Sequence, residues 1–295
     1  MEFLFSLLVA GISVGSAYAL IAIGLNMTFW TTRTLNFGQG SLMMLCAMLA
    51  AFLSTQGAAL LLAVLGGLAA VGALGMFVER FTIRPALHAS AGSMGWIVAT
   101  LGFGTFLQGV AAKLFGSQAV AFPEFLFTTQ DVVTVFGVPI ALQYAVIFVL
   151  AVALVAALEL FLRRTIWGQV VLAVSADPEL SRMQGMPVRA VVLLSFVASS
   201  LLAGAAGLLI AQIGGTVDPA FGFDLVLLGF VAAVLGGMGS SLGALVGGIT
   251  VGVLSKLVGG YVSSAAEHGI AFAVLMLMLA VRPQGLFARV EAVKA

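Results

Sequence analysis

The sequence predicts an all-α polytopic membrane protein with about eight or nine transmembrane helices, some of them short or broken. Hydrophobic residues make up 62% of the 295 residues, and charged residues only 8%, whereas soluble domains average about 25% charged residues. The mean hydropathy is +1.22. The few charges separate apolar runs, several of which reach the roughly 20 residues that a helix needs to cross a bilayer. We expect a single transmembrane domain over residues 1–295.

The apolar runs predict about nine spans, because each is bounded by charges or by turn-forming residues. In chain order they fall at roughly 3–30, 37–54, 58–79, 92–111, 141–162, 190–213, 225–238, 241–259 and 266–281. The second and seventh are short, so half-helices or re-entrant segments are expected there. A count of eight complete spans is the alternative.

Lysine and arginine residues predict the orientation of these spans. If the N-terminus is outside, only Lys113 and Lys256 of the 12 basic residues fall on the outer side. An excess of basic residues in the inner segments is the rule for membrane proteins. We therefore expect an outer N-terminus and a cytoplasmic C-terminus. The polar segment 165–189 then faces the cytoplasm.

That polar segment contains the signals of one short helix over 178–184. Asp177 suits the N-cap, Pro178 the first helical position and Glu179 the first turn. Gly185, followed by Pro187, is typical of a helix end.

This short helix cannot cross a bilayer, so it either covers the surface of the spans or docks a soluble partner. Leu180 and Met183 lie on one side of it, and Arg182 lies close to them. We expect Leu180 and Met183 to be the side that a partner buries, with Glu179 and Arg182 setting the register.

The segment Arg33–Met44 interrupts an apolar run with polar residues and glycines. Polar groups at membrane depth are tolerated only where protein or a water-filled cavity satisfies them. One interpretation is a wall of a translocation path; the other is a cytoplasmic turn in which Asn36 caps the next helix. The candidate path residues here are Asn36, Phe37, Gln39, Gly40 and Ser41.

A second segment, Asp218–Asp224, resembles the first weakly. Each places a polar residue four positions before a glycine (Gly40, Gly222) and then continues as an apolar run. Paired interrupted segments in two halves of a transporter indicate a substrate path, which adds Phe221 and Gly222 to the candidates. A solvated outer loop is the alternative interpretation of Asp218 and Asp224.

The sequence argues against an enzyme and against bound cofactors. With one cysteine and two histidines it offers no metal cluster, and no catalytic set can be placed at one membrane depth. The glycine-rich run 236–248 lacks the lysine of a phosphate-binding loop. A net charge of +1 gives no indication of nucleic-acid binding. Membrane lipid is the surrounding medium that the apolar spans predict. Glu159 is the only acid inside an apparent span, and a salt bridge with the Arg163-Arg164 pair explains it.

Several motifs together resemble the permease subunits of bacterial ABC importers for branched-chain amino acids, and the chain is similar to the shorter of the two paired permeases. The resemblance covers almost the whole chain. The motifs are GSAYALIAIGLNMTF, LNFGQGSLMMLCAM, an ERFTIRP loop at Glu79–Pro85, ADPELSRMQGMPV, VDPAFGFD, AAVLGGMGSSLGALVGG and RPQGLF. Gly38-Gln39 stands where this family more often has Ala-His.

The resemblance implies a location in the bacterial inner membrane with the N-terminus in the periplasm. It implies four kinds of partner: a second permease, two cytoplasmic ATP-binding subunits that bind and hydrolyse the ATP, a periplasmic substrate-binding protein and lipid. It also implies that the loop at about 163–190 carries a coupling helix seated on an ATPase. The expected coupling residues are Asp177, Pro178, Glu179, Leu180, Arg182, Met183 and Gly185. Urea, short amides or other amino acids are alternative substrates, and a gradient-driven transporter or a scaffold subunit are alternative functions.

Overall fold

The computed structural model describes residues 2–89, 95–124, 131–135, 138–264, 266–282 and 285–287. Arg289, Lys294 and the Pro283-Gln284 pair of the last motif lie outside these ranges. The helices are α1 Glu2–Thr32, α2 Gln39–Thr55, α3 Leu60–Phe77, a π-helical turn Val78–Ile83, α4 Arg84–Ala89, α5 Gly95–Phe115, α6 Leu142–Arg164, α7 Ile166–Ala176, α8 Pro178–Met183, α9 Val188–Gly214, α10 Phe221–Gly236, α11 Ser241–Tyr261 and α12 Ala266–Val281.

The strands are short and form two antiparallel pairs. β1 Val120–Ala121 pairs with β4 Thr216–Val217, and β2 Val132–Val135 forms a hairpin with β3 Val138–Ala141. The sequence analysis did not predict these strands.

The prediction of an all-α polytopic membrane protein is confirmed. Within the described ranges, 6 helices are long and apolar enough to cross a membrane, with α3, the π turn and most of α4 counting as one. Each predicted span coincides with one of the helices. The two that were expected to be short have 17 residues (α2) and 16 residues (α10).

Helix α1 forms the centre of the bundle. It packs against α6, α9, α10 and α11, and 72% of its most apolar window is buried. Its contact with α11 is backbone to backbone. A Cβ atom added to Gly15 would lie 2.7 Å from the Ile249 Cα, and one added to Gly248 would lie 2.6 Å from the Ala19 nitrogen. Small residues allow such close packing where the lipid provides no hydrophobic drive for association.

The short helices α2 and α10 both begin halfway along the bundle. The Gln39 side-chain nitrogen donates to the Ile21 carbonyl at 3.3 Å, in the middle of α1. Gly40, the second residue of α2, contacts the backbone of Gly222, the second residue of α10. From this junction α2 runs to the end where β1 pairs with β4, and α10 runs to the opposite end. They are therefore two half-helices whose N-termini meet inside the bundle.

The segment at Glu79–Pro85, expected as a loop, is instead helical. The backbone NH of Arg84 donates to the Glu79 carbonyl, which is the wider spacing of a π turn, and α4 follows directly. Pro85 has no NH to donate, and its ring would clash with a carbonyl one α-helical turn earlier. The π turn relieves this constraint, so the helix of α3 continues past the proline.

Helix α7 was also missed, because the whole segment 165–189 was interpreted as one polar interruption with a single short helix. Val171 and Val174 of α7 are buried against Leu162 and Val191. The Thr165 hydroxyl accepts a 3.0 Å hydrogen bond from the Gly168 NH and so caps its N-terminus. The Arg163-Arg164 pair marks the start of a connection, but an apolar helix follows it at once.

Candidate functional site

Asn36 does not cap α2, which corrects one of the two interpretations of the Arg33–Met44 segment. Gly38 occupies the N-cap position, and no side chain caps the helix. The Asn36 side chain is fully buried, and its amide nitrogen and oxygen have no hydrogen-bond partner within the described part of the chain. A buried amide without a partner costs free energy, so Asn36 occupies a site that packing alone does not explain.

Gln39 fixes the axial position of α2 relative to α1. Its amide nitrogen donates to the Ile21 carbonyl and occupies the space over Gly24, where a Cβ would clash with it. Its amide oxygen has no partner among residues that the structure describes. Gly24 therefore provides a slot for the Gln39 side chain between α1 and α9.

A small cavity lies beside the junction of α2 and α10. Its volume is about 30 Å³, enough for roughly one water molecule. Of the predicted path residues, the structure brings together Phe37, Ser41 and Gly222 on its wall, whereas Asn36, Gln39, Gly40 and Phe221 do not line it. The other lining residues are Met44, Leu101, Gly104, Thr105, Gln108, Pro219 and Phe223.

Helix α5 supplies residues of this wall that the sequence analysis missed. The Ser41 hydroxyl donates to the Gly104 carbonyl at 2.9 Å, which holds α2 against α5. Thr105 is exposed, and Gln108 is half-buried. The signal was present in the sequence, since α5 has the lowest mean hydropathy, 1.4, of the six long helices.

The predicted short helix is present as α8, and its predicted cap is confirmed. The Asp177 carboxylate accepts hydrogen bonds from the backbone NH groups of Glu179 (3.0 Å) and Leu180 (2.9 Å), and Pro178 takes the first turn. Gly185 adopts a φ of +78°, which ends the helix as expected. The helix ends at Met183, one residue before the predicted boundary.

The exposed face of α8 is apolar. Leu180 is 52% exposed and Met183 86% exposed, whereas Ser181 is buried against the bundle. At 3.6 residues per turn, Met183 lies between Leu180 and Glu179, so Glu179 is at the edge of this apolar face. Arg182 lies on the flank and lines a cleft together with Pro178. The outward apolar face is what a docking helix presents before its partner binds.

Two further ion pairs lie at the ends of the bundle. Arg163 donates to Glu159 at 2.6 Å, the salt bridge expected from the sequence. Lys256 of α11 lies 2.6 Å from Glu267 of α12. Among the described residues, no group of three or more histidine, cysteine or acidic residues could hold a metal ion.

The chain matches known transport proteins over nearly its whole length. Residues 7–281 match the family model described as the branched-chain amino acid transport system permease component. The high-affinity branched-chain amino acid transport system permease protein LivH of Escherichia coli K12 is 31% identical, over 96% of this chain and 95% of that protein. BraD of Pseudomonas aeruginosa, named in the same words, is 30% identical over 97% of this chain and 96% of its own.

More distant matches agree in fold. The fructose import permease protein FrcC of Rhizobium meliloti is 29% identical over 62% of this chain and 58% of its own. A solved structure of PsaBC from Streptococcus pneumoniae in complex with Fab superposes with a TM-score of 0.52 at 15% identity, covering 96% of this chain and 93% of that chain. The chain therefore belongs to the family of branched-chain amino acid transport system permease components.

Proposed function

We propose that the chain is the transmembrane permease subunit of an ABC importer for branched-chain or other hydrophobic amino acids. The observation that carries this proposal is the pair of half-helices whose N-termini meet at Gly40 and Gly222. Discontinuous helices of this kind form substrate sites near the middle of a membrane. The names of LivH and BraD supply the substrate class.

The substrate path runs past the junction. Phe37, Ser41 and Gly222 form its wall, and Asn36, Gln39, Gly40 and Phe221 support that wall from behind. The positive ends of the two half-helices suit the carboxylate of a zwitterion, and the phenylalanine rings suit an apolar side chain. The small cavity corresponds to a closed path, so passage requires α2, α5 and α10 to separate.

Helix α8 couples the permease to ATP hydrolysis by its partner. Its capped helix is held between α7 and α9, and its outward side chains, Leu180 and Met183, bury themselves in a cleft of a cytoplasmic ATP-binding subunit. Nucleotide-driven movement of that subunit is then passed through α9 to the junction. The complex contains two ATP-binding subunits, a second permease chain and a periplasmic substrate-binding protein. The permease itself binds no ATP, metal or nucleic acid.

The proposed orientation has a periplasmic N-terminus in the bacterial inner membrane. The end that carries α8 also carries Arg84, Arg163, Arg164 and Arg189. A concentration of arginines at one end supports its assignment to the cytoplasm by the positive-inside rule.

A second candidate is the same kind of importer with a different small solute. The match to FrcC, a fructose import permease protein, supports this alternative because related permeases carry chemically different cargo. A gradient-driven transporter has less support. Glu159, its best candidate for ion coupling, is paired with Arg163 at the end of α6.

Reconstitution into liposomes tests the proposal. We expect leucine uptake only when the chain is combined with its second permease, ATP-binding subunits, binding protein and ATP. Uptake of urea or a sugar, but not leucine, by the full complex would select the second candidate. Leucine accumulation by the single chain without ATP would refute an ATP-driven importer.

A further inference from the structure

A large cleft lies at the arginine-rich end of the bundle, away from the proposed path. Its volume is about 910 Å³. One wall is the π turn with α4, and the other is α8 with the first turns of α9. The end of α1 closes the cleft through Thr31 and Thr32.

The rim of the cleft carries uncompensated positive charge. Arg84, Arg182 and Arg189 line it, and among the described residues Glu79 is the only acid on its wall. Glu79 is already neutralised, because its buried carboxylate forms a two-pronged ion pair with Arg84 at 2.8 and 3.0 Å. Neither Arg182 nor Arg189 forms an ion pair within the described part of the chain. The net charge that remains on the rim comes from these two side chains.

Beneath this rim the cleft is apolar. On the membrane side of the rim its lining includes Ile83, which precedes Arg84 at the end of the π turn, and Val192, which lies further into α9 than Arg189. A positive rim over an apolar floor matches a molecule with an anionic head and a hydrocarbon tail. It matches a small soluble anion less well, because that anion would leave the apolar floor in contact with water.

The cleft also lies at the depth of lipid headgroups. The helical arm from Leu60 to Leu87 is continuous. Counted along this arm at 1.5 Å per residue, Arg84 lies about 36 Å from Leu60. The hydrocarbon core of a bilayer is about 30 Å thick. With Leu60 at the outer boundary of the hydrocarbon, Arg84 therefore reaches the inner boundary, at the level of the phosphates.

The outward face of α8 is separate from this cleft. Pro178 and Arg182 face the cleft, whereas Leu180 and Met183 do not line it. A soluble partner can therefore occupy the outward face of α8 without contacting the residues that line the cleft.

We propose that this cleft is a binding site for an anionic phospholipid of the inner leaflet. The phosphate binds between Arg182 and Arg189, and the acyl chains lie along Ile83 and Val192. Basic pockets between helices on the cytoplasmic side of membrane proteins hold such headgroups. The lipid thereby becomes a wall between α4 and α8. This inference does not depend on the identity of the transported solute.

Native mass spectrometry of the full-length permease in neutral detergent tests the site by titration with phosphatidylglycerol. Each arginine near an anionic headgroup contributes to affinity, so we expect Arg189→Gln to weaken phosphatidylglycerol binding about fivefold and Arg182→Gln/Arg189→Gln about 30-fold. The charge-preserving Arg182→Lys/Arg189→Lys variant should retain most of the affinity. Arg80→Gln is the matched control, because Arg80 is exposed near the same end but does not line the cleft.

Four outcomes would overturn the proposal. Phosphatidylglycerol affinity could be unchanged in the folded glutamine variants, or could fall equally in Arg80→Gln. Excess inorganic phosphate could displace the lipid, which would make the rim a site for a soluble anion. Lipid retention could be unaffected while affinity for the ATP-binding subunit falls, which would assign the cleft to protein docking. If the double variant does not fold, the Arg189→Gln and lysine variants still decide the matter.

Discussion

Replacing Gly222 with alanine tests whether the two half-helices depend on direct backbone contact. A Cβ at position 222 would lie 2.5 Å from the Gly40 carbonyl carbon and closer still to its oxygen. Non-bonded carbon atoms pack at about 3.5–4.0 Å, so α2 and α10 would have to separate by about 1 Å. The obstacle is backbone, which cannot rotate away as a side chain could.

The cost follows from that separation. Inserting one methyl group into a well-packed core costs about 1–3 kcal/mol, and a gap of 0.5–1 Å forfeits roughly a quarter to a half of each contact energy along the crossing. We therefore expect Gly222→Ala to lower the free energy of unfolding by about 1–3 kcal/mol. Transport should fall as well, because the substituted residue lies on the wall of the proposed path.

Denaturant titration of the detergent-solubilised chain, followed by circular dichroism, measures this loss. Gly102→Ala on α5 is the matched control, because a Cβ there meets no atom within 4 Å. It should leave stability unchanged or raise it by up to about 1 kcal/mol through helix propensity. Equal stability of Gly222→Ala and Gly102→Ala would refute the close contact between α2 and α10.

Three further substitutions test other contacts. Leu180→Asp with Met183→Asp should abolish coupling of ATP hydrolysis to uptake while leaving the chain inserted and folded; wild-type uptake in liposomes would contradict docking through this face. Asp177→Ala removes two hydrogen bonds from the start of α8 and should destabilise that helix by about 1 kcal/mol, measured as faster amide exchange there. Glu267→Gln leaves Lys256 without its ionic partner in a partly buried position, so a loss of about 1–2 kcal/mol in the free energy of unfolding is expected. Unchanged stability of that variant would show that the ion pair is fully solvated.

Local signals in the sequence were sufficient for the spans and for α8. Hydropathy alone defines long apolar helices, and the order Asp177, Pro178 and Gly185 defines a capped helix, because each signal acts within a few residues. The same approach failed where charged residues, which were interpreted as connections, lie next to or within a helix. Charges were used to mark connections, so the Arg163-Arg164 pair concealed α7. The charges of Glu79–Pro85 likewise indicated a loop where a π turn continues the helix.

The arrangement of the candidate site was less accessible to sequence reasoning. The similarity between the segments around Gly40 and Gly222 suggested paired half-helices, but not that the two glycines touch. That contact depends on how α1, α9 and α10 pack, which no local pattern encodes. A cap formed by Asn36 was one of the two interpretations of its segment, yet Gly38 takes that position and leaves the amide buried. The role of α5 was missed because hydropathy identifies a span but not the helix that it packs against, here α2 through Ser41 and Gly104.

The pairing of β1 with β4 ties a surface loop to the middle of the bundle. β4 is separated from the start of α10 only by Asp218, Pro219 and Ala220, and the Asp218 carboxylate stiffens this link by accepting the Ala220 NH at 2.7 Å. On the other side, Phe122 extends the pairing through a 2.8 Å hydrogen bond to the Gly215 carbonyl. A short, stiff link transmits displacement instead of absorbing it. A protein that binds and displaces the loop around Val120 would therefore also displace the start of α10 inside the bundle.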